Sequence, residues 1–185
     1  MKIIRTFAAL AVAGCLMTPT AQAGLIGDSV QLAYDFTGLP STLDTFTVGS
    51  GVEVTCPGSA NVCSLLTAPT QTVDFADLSI TYTYTGNGSG FNALPENRFR
   101  FLSLDPGFAI GTVGLTTNIG GLDASRISFT SNSITVNVSG LGLSGPTSNF
   151  QLTLAPVPEP ATWAMLLLGL MGINALVVRR RVLPL

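Results

Sequence analysis

The sequence predicts an all-β protein, an antiparallel β-sandwich or jelly roll of about 8–10 strands, with an N-terminal signal peptide before it and one C-terminal transmembrane helix after it. Three observations predict this. Through the middle of the chain apolar residues recur at every second position, the period of a half-buried strand. Clusters rich in Gly, Pro, Asn and Ser separate those runs at short intervals. No segment before residue 161 sustains a 3.6-residue apolar period, whereas residues 161–178 carry no charge at all.

At the front, residues 1–23 have the form of a secretory signal. Lys2 and Arg5 supply the positive end and residues 7–17 the apolar centre. Ala21-Gln22-Ala23 is a small-residue cleavage site before Gly24, the substrate pattern of a signal peptidase. A rival route lies inside it: Val12-Ala13-Gly14-Cys15 resembles a bacterial lipobox, in which Cys15 would be acylated and become the new N-terminus. Both routes export the chain. The apolar stretch before Cys15 is short and hydrophobicity continues through Leu16 and Met17, which favours cleavage after Ala23.

Residues 24–155 form the exported β-sandwich domain, large enough for one real core. Alternation is read at Val30, Leu32, Tyr34 and Phe36, then at Val52, Val54 and Cys56, and then at Leu78, Ile80, Tyr82 and Tyr84. It returns at Phe99 and Phe101, at Ile127 and Phe129, at Ile134, Val136 and Val138, and finally at Phe150, Leu152 and Leu154. Turns are expected at Gly38-Leu39-Pro40, Gly49-Ser50-Gly51, the Gly86–Gly90 cluster, Asp105-Pro106-Gly107, Gly120-Gly121 and Gly145-Pro146. The same alternation places Tyr34, Tyr82 and Tyr84 on the buried face. Cys56 and Cys63 lie close together in an exported domain and are expected to form a disulfide around a small turn-rich loop.

Composition narrows the chemistry. The domain has nine acidic residues against three arginines (Arg98, Arg100 and Arg126), a net charge of −6, and neither lysine nor histidine. Such a surface lacks the basic footprint of a nucleic-acid partner. Without histidine, Ser-His-Asp and Cys-His arrangements are excluded, and without lysine so are Ser-Lys catalysis and Schiff bases. No nucleophile elbow, phosphate-binding loop or dinucleotide fingerprint occurs. Asp74 and Asp77 are the nearest carboxylate pair, and surface solvation accounts for them. The expectation is a non-enzyme with no catalytic residue, no cofactor and no metal ligand set. Arg126 is expected to pair with a carboxylate such as Asp123. A carbohydrate- or calcium-binding module is the alternative, although the only tryptophan, Trp163, falls outside the domain and no D-x-D-x-D-G loop exists.

The tail, residues 156–185, has three parts in order. Val157-Pro158-Glu159-Pro160 is an extended, helix-refusing peptide. Residues 161–178 would make an apolar helix of roughly 27 Å, the short end of what spans a bilayer. Arg179, Arg180 and Arg181 form a basic stop that holds this end in the cytoplasm. From physics alone this is a permanent single-pass anchor or a sorting device. The order of the three parts resembles the PEP-CTERM sorting signal of Gram-negative bacteria that make exopolysaccharide. The resemblance covers about 25 of 185 residues. It implies recognition of Val157, Pro158, Glu159 and Pro160 by an exosortase, an integral-membrane transpeptidase-like enzyme that would cut there. It also implies passage through the inner membrane to the cell surface or exterior, with exopolysaccharide as a possible partner. Further upstream, Gly51-Val52-Glu53-Val54, Val73-Asp74-Phe75, Phe91-Asn92 and the run from Asp123 to Thr130 are similar in order to one group of PEP-CTERM proteins, a likeness that supports the fold.

Overall fold

The computed structural model describes residues 24–104 and 109–157. The expected signal peptide with Ala21 and Ala23, the lipobox Cys15, the helix at 161–178 and Arg179–Arg181 lie outside the described residues. Within them, no helix is long and apolar enough to cross a membrane.

Two five-stranded antiparallel sheets make the architecture. Sheet I has the order β2 (Thr42–Thr47), β1 (Ser29–Phe36), β7 (Asn97–Leu102), β10 (Ile134–Asn137), β9 (Ile127–Phe129). Sheet II has the order β3 (Val54–Cys56), β4 (Gln71–Ala76), β5 (Ser79–Thr85), β12 (Thr147–Pro156), β8 (Ile110–Thr117). A two-stranded ribbon, β6 (Ser89–Gly90) with β11 (Gly142–Leu143), is added at one end. The two sheets are the expected all-β sandwich, since each strand turns one set of alternate side chains inward.

Period two becomes packing in the core. From sheet I come Val30, Leu32, Tyr34, Phe99, Phe101, Ile134 and Val136, and from sheet II Val73, Phe75, Ile80, Tyr82, Tyr84, Phe150 and Leu152, all buried. Aromatic rings knit the two layers: Phe99 of β7 meets Tyr82 of β5 at 5.0 Å and Phe150 of β12 at 5.9 Å, and Phe75 meets Phe101 at 5.9 Å. Such tilted and edge contacts contribute beyond the area they bury.

Besides the two ribbon strands, three strands of the sheets were not among the alternating runs read from the sequence. β2 and β8 are the outer strands of their sheets, and their Thr- and Gly-rich sequences give a half-exposed pattern with few buried apolar residues. β4 alternates cleanly, but its inward positions include Gln71, which is polar and 3% exposed. Three residues read as strand positions lie outside strands: Val52, before β3, is 52% exposed, Leu78, in the β4–β5 turn, is 36% exposed, and Val138, just after β10, is buried.

Every strand end can be assigned to one of two poles. β12 leaves its sheet beside the β4–β5 turn, because Thr153 pairs with Ser79. Leu25 donates its N–H to Asp77 O, which brings residues 24–28 and the start of β1 to the same pole. The segments 48–53, 103–104 and 130–133 follow by register. This is the exit pole; the β1–β2 turn, the β6–β11 ribbon and the disulfide mark the far pole.

The two fully buried tyrosines of β5 differ in hydrogen bonding. The Tyr82 hydroxyl donates to Gln71 Oε1 at 2.7 Å, whereas the Tyr84 hydroxyl has no partner among the described residues. Tyr84→Phe is therefore expected to be neutral or stabilising in denaturant melts, and Tyr82→Phe to cost about 1–2 kcal/mol because Gln71 stays buried without its donor.

Candidate functional site

The C-terminal junction is where sequence reading located function, and β12 builds it. Phe150, Leu152 and Leu154 anchor the strand in the core, and it is paired on both flanks through Thr153. Beyond that point one bond, Leu154 N–H to Leu78 O at 2.8 Å, remains on the β5 side, and β8 holds the rest: Ala155 pairs with Thr112, the register shifts, and Pro156 stands opposite Ile110. A last bond runs from Val157 N–H to Ala109 O at 2.8 Å. Val157, the first expected recognition residue, is half exposed. Pro158, Glu159 and Pro160 lie outside the described residues.

The expected disulfide is present. Cys56, at the end of β3, and Cys63, in the 3-10 turn Asn61–Ser64, are bonded with Cα atoms 5.2 Å apart. The Asp44 carboxylate on β2 accepts the N–H groups of Asn61 and Val62 at 2.8 and 2.7 Å, fixing the turn's first donors as a cap does. Beside this loop opens a cleft of about 410 Å³ at the far pole, lined by Tyr34, Phe36, Leu65, Gln71, Phe91 and Asn97 among others. The Tyr34 hydroxyl donates to Asn97 Oδ1, and Asn97 Nδ2 donates to Asn92 O at 2.8 Å. Burial raises the pKa of Tyr34 and of Tyr82, so both remain neutral phenols.

The outer face of sheet I carries the domain's cations. Strand register puts Asp35, Arg98 and Asn137 in one row, and Ala33, Arg100, Thr135 and Ser128 in the next. Asp35 is 6% exposed and is held from three sides. Arg98 Nε donates to Oδ2 at 2.8 Å, Arg100 Nη2 to Oδ1 at 2.8 Å, and Ser41 Oγ to Oδ1 at 2.5 Å. Arg100 Nε also lies 2.7 Å from Oδ2 but off the hydrogen-bond line. Burial pushes the Asp35 carboxyl up, and the hydrogen bonds from Arg100, Ser41 and Arg98 outweigh it, setting the pKa at about 2.

Arg126 corrects an expectation. It forms no ion pair with Asp123 within the described residues; its Nη1 donates to the backbone oxygens of Ser139 at 2.9 Å and Asn137 at 3.4 Å. Asp123 is occupied locally, accepting the N–H and hydroxyl of Ser125, which lowers its pKa. The 3-10 turn Ala124–Arg126 points the arginine along the sheet, where two strand-end carbonyls are nearer than the capping carboxylate. Arg126 thereby edges a polar groove of about 450 Å³ on the sheet face, with Arg98, Ser125, Ser128, Thr135, Asn137 and Ser139. Asp74, read as a strand-edge residue, sits within β4 opposite Thr81, and Asp77 lies in the following turn. No cluster of three or more His, Cys, Asp or Glu side chains suited to a metal occurs among the described residues.

The Asp35 ion cluster gives a pH dependence of defined sign. Its folded pKa is below the ordinary 3.8, so its contribution is fully present above about pH 4 and is lost as pH falls toward 2. Asp35→Asn is expected to cost roughly 2 kcal/mol at neutral pH and to flatten the acid limb of a melting-temperature profile in that window.

Neither a curated protein nor a solved structure matches the chain. One family model does match, over residues 156–181, so its first residue is the last of β12 and its body is the tail. That model describes the PEP-CTERM protein-sorting motif, and the chain, carrying it directly on the end of its sandwich, has the mark of an exported protein sorted by an exosortase.

Proposed function

We propose that this protein is exported by signal-peptide cleavage after Ala23, held in the inner membrane by residues 161–178, and cut by an exosortase at the Val157-Pro158-Glu159-Pro160 peptide. Release delivers the sandwich to the cell surface or the exopolysaccharide, where it has a structural or interaction role and no catalytic one. The observation that carries this reading is the match at 156–181. Arg179, Arg180 and Arg181 serve as the cytoplasmic stop. The acidic domain without histidine or lysine supports the non-catalytic part.

Intact mass of the protein recovered from its native envelope or culture fluid tests the route. The expected species begins at Gly24, ends near Pro158–Pro160 and carries one disulfide. A species ending at Leu185 would make the tail a permanent anchor, and one beginning at acylated Cys15 would replace the export route. Glu159→Ala is expected to accumulate the uncut form.

A second reading, a carbohydrate-binding module, is favoured by the groove beside Arg126. Its hydroxyl and amide lining suits sugar hydroxyls, and the guanidinium keeps Nε and Nη2 without an acceptor among the described residues. A carboxylate-bearing polysaccharide is the chemistry that matches an arginine fork. By calorimetry, Arg126→Ala is expected to lower affinity for an acidic glycan about tenfold or more, a loss of one charge-assisted hydrogen bond. Equal binding by the variant would remove this reading.

A further inference from the structure

The described residues include seven large apolar side chains that are exposed, and they are not scattered. Ile26, Val52, Leu78, Phe129 and Val157 belong to segments at the exit pole; Leu39 is in the β1–β2 turn at the far pole, and Leu43 is on β2. The grouping follows from hydrogen bonds and register. Leu25 N–H on Asp77 O sets Ile26 beside the turn that holds Leu78, and Leu154 N–H on Leu78 O sets that turn against the end of β12. Phe129 closes β9 opposite Ile134, whose own partner on β7 is Phe101, near that strand's end. Val52 precedes β3 next to Glu53, whose carboxylate accepts Phe75 N–H at 2.8 Å and Gly49 N–H at 2.8 Å.

No arginine or lysine among the described residues lies at this pole; Arg98 and Arg126 lie toward the other, and Arg100, mid-strand, turns its guanidinium to Asp35 and Ser41. Singly exposed apolar residues need no explanation, but five collected around one strand exit do. From Pro156 to the first residue of the apolar run at 161 the chain can reach no more than about 17 Å.

We infer that the exit pole is a membrane-contacting rim: before the tail is cut, Ile26, Val52, Leu78, Phe129 and Val157 rest in the interfacial region of the bilayer that residues 161–178 enter. The inference rests on the reading of 161–178 as a span. The contact is apolar rather than electrostatic, since the pole offers acidic but no basic side chains to the headgroups. The rim sets the sandwich upright, with the far-pole cleft and the disulfide pointing away from the membrane.

The test uses the full-length chain in nanodiscs of phosphatidylcholine brominated on its acyl chains. In the native sequence, Trp163 reports the tail: its quenching shows insertion, and its absence would overturn the span reading on which the rim depends. On a Trp163→Phe background, Leu78→Trp and Ile26→Trp report the rim and Leu39→Trp the opposite pole. The expected result is quenching with a blue shift for Leu78→Trp and Ile26→Trp, and solvent-like emission for Leu39→Trp. Adding Val52→Ser and Phe129→Ser should reduce the quenching in Leu78→Trp. If Trp163 is quenched while both rim reporters emit as Leu39→Trp does, the tail is inserted and the rim is refuted. Two rim reporters keep the test decisive should one substitution disturb the fold.

Discussion

The rest of the molecule depends on a single constraint, the double pairing of β12. This strand carries Phe150 and Leu152 into the aromatic core, takes β5 on one flank and β8 on the other, and ends where the sorting motif begins. An interior strand of a sheet cannot be pulled away without breaking two ladders and emptying core positions. The sorting tail is thus fixed to the most firmly held part of the sandwich. Because only Val157-Pro158-Glu159-Pro160 separates that strand from the apolar run, the direction of β12 also decides which pole of the domain stands nearest the tail.

The two poles divide the chemistry of the domain between them. Toward the far pole lie the disulfide, the cleft beside it and all three guanidinium groups. Two of those guanidinium groups are consumed by Asp35, whose burial would be costly without them. Only Arg126 satisfies itself on backbone carbonyls, so in a domain of net charge −6 one positive group is left beside a hydroxyl-lined groove. The exit pole shows the opposite selection, with exposed aliphatic and aromatic side chains and no cation within the described residues.

Much of this was legible in the sequence because it is local. Alternation at Ile80, Tyr82 and Tyr84, or at Phe150, Leu152 and Leu154, needs no partner to be recognised. Cys56 and Cys63 are near neighbours, and the sorting motif is a continuous string. What could not be read is set by pairing at a distance. Asp35 meets Arg98 and Arg100 only because β1 lies beside β7, more than sixty residues away. Arg126 invited a pairing with Asp123 three residues earlier, but the carboxylate caps its own turn and the arginine reaches β10 instead. The outer strands β2 and β8 were silent for a different reason: with one ladder and one packed face they tolerate Thr and Gly, and they carry little apolar rhythm.

The same physics explains where the chain leaves the sheet. Pairing to β5 is exhausted at Thr153, with one further bond from Leu154 to Leu78, and pairing to β8 persists across a register shift to Pro156. Val157 then contributes the last donor, to Ala109. Pro156, the last residue of β12, has no N–H to give. Upstream of Val157 the backbone is committed to neighbouring strands. Downstream of residue 160 the sequence is apolar and uncharged up to the three arginines. Between those limits lie only Val157, Pro158, Glu159 and Pro160, with Glu159 the sole charge. Sheet pairing and the sorting motif thereby meet without a spacer.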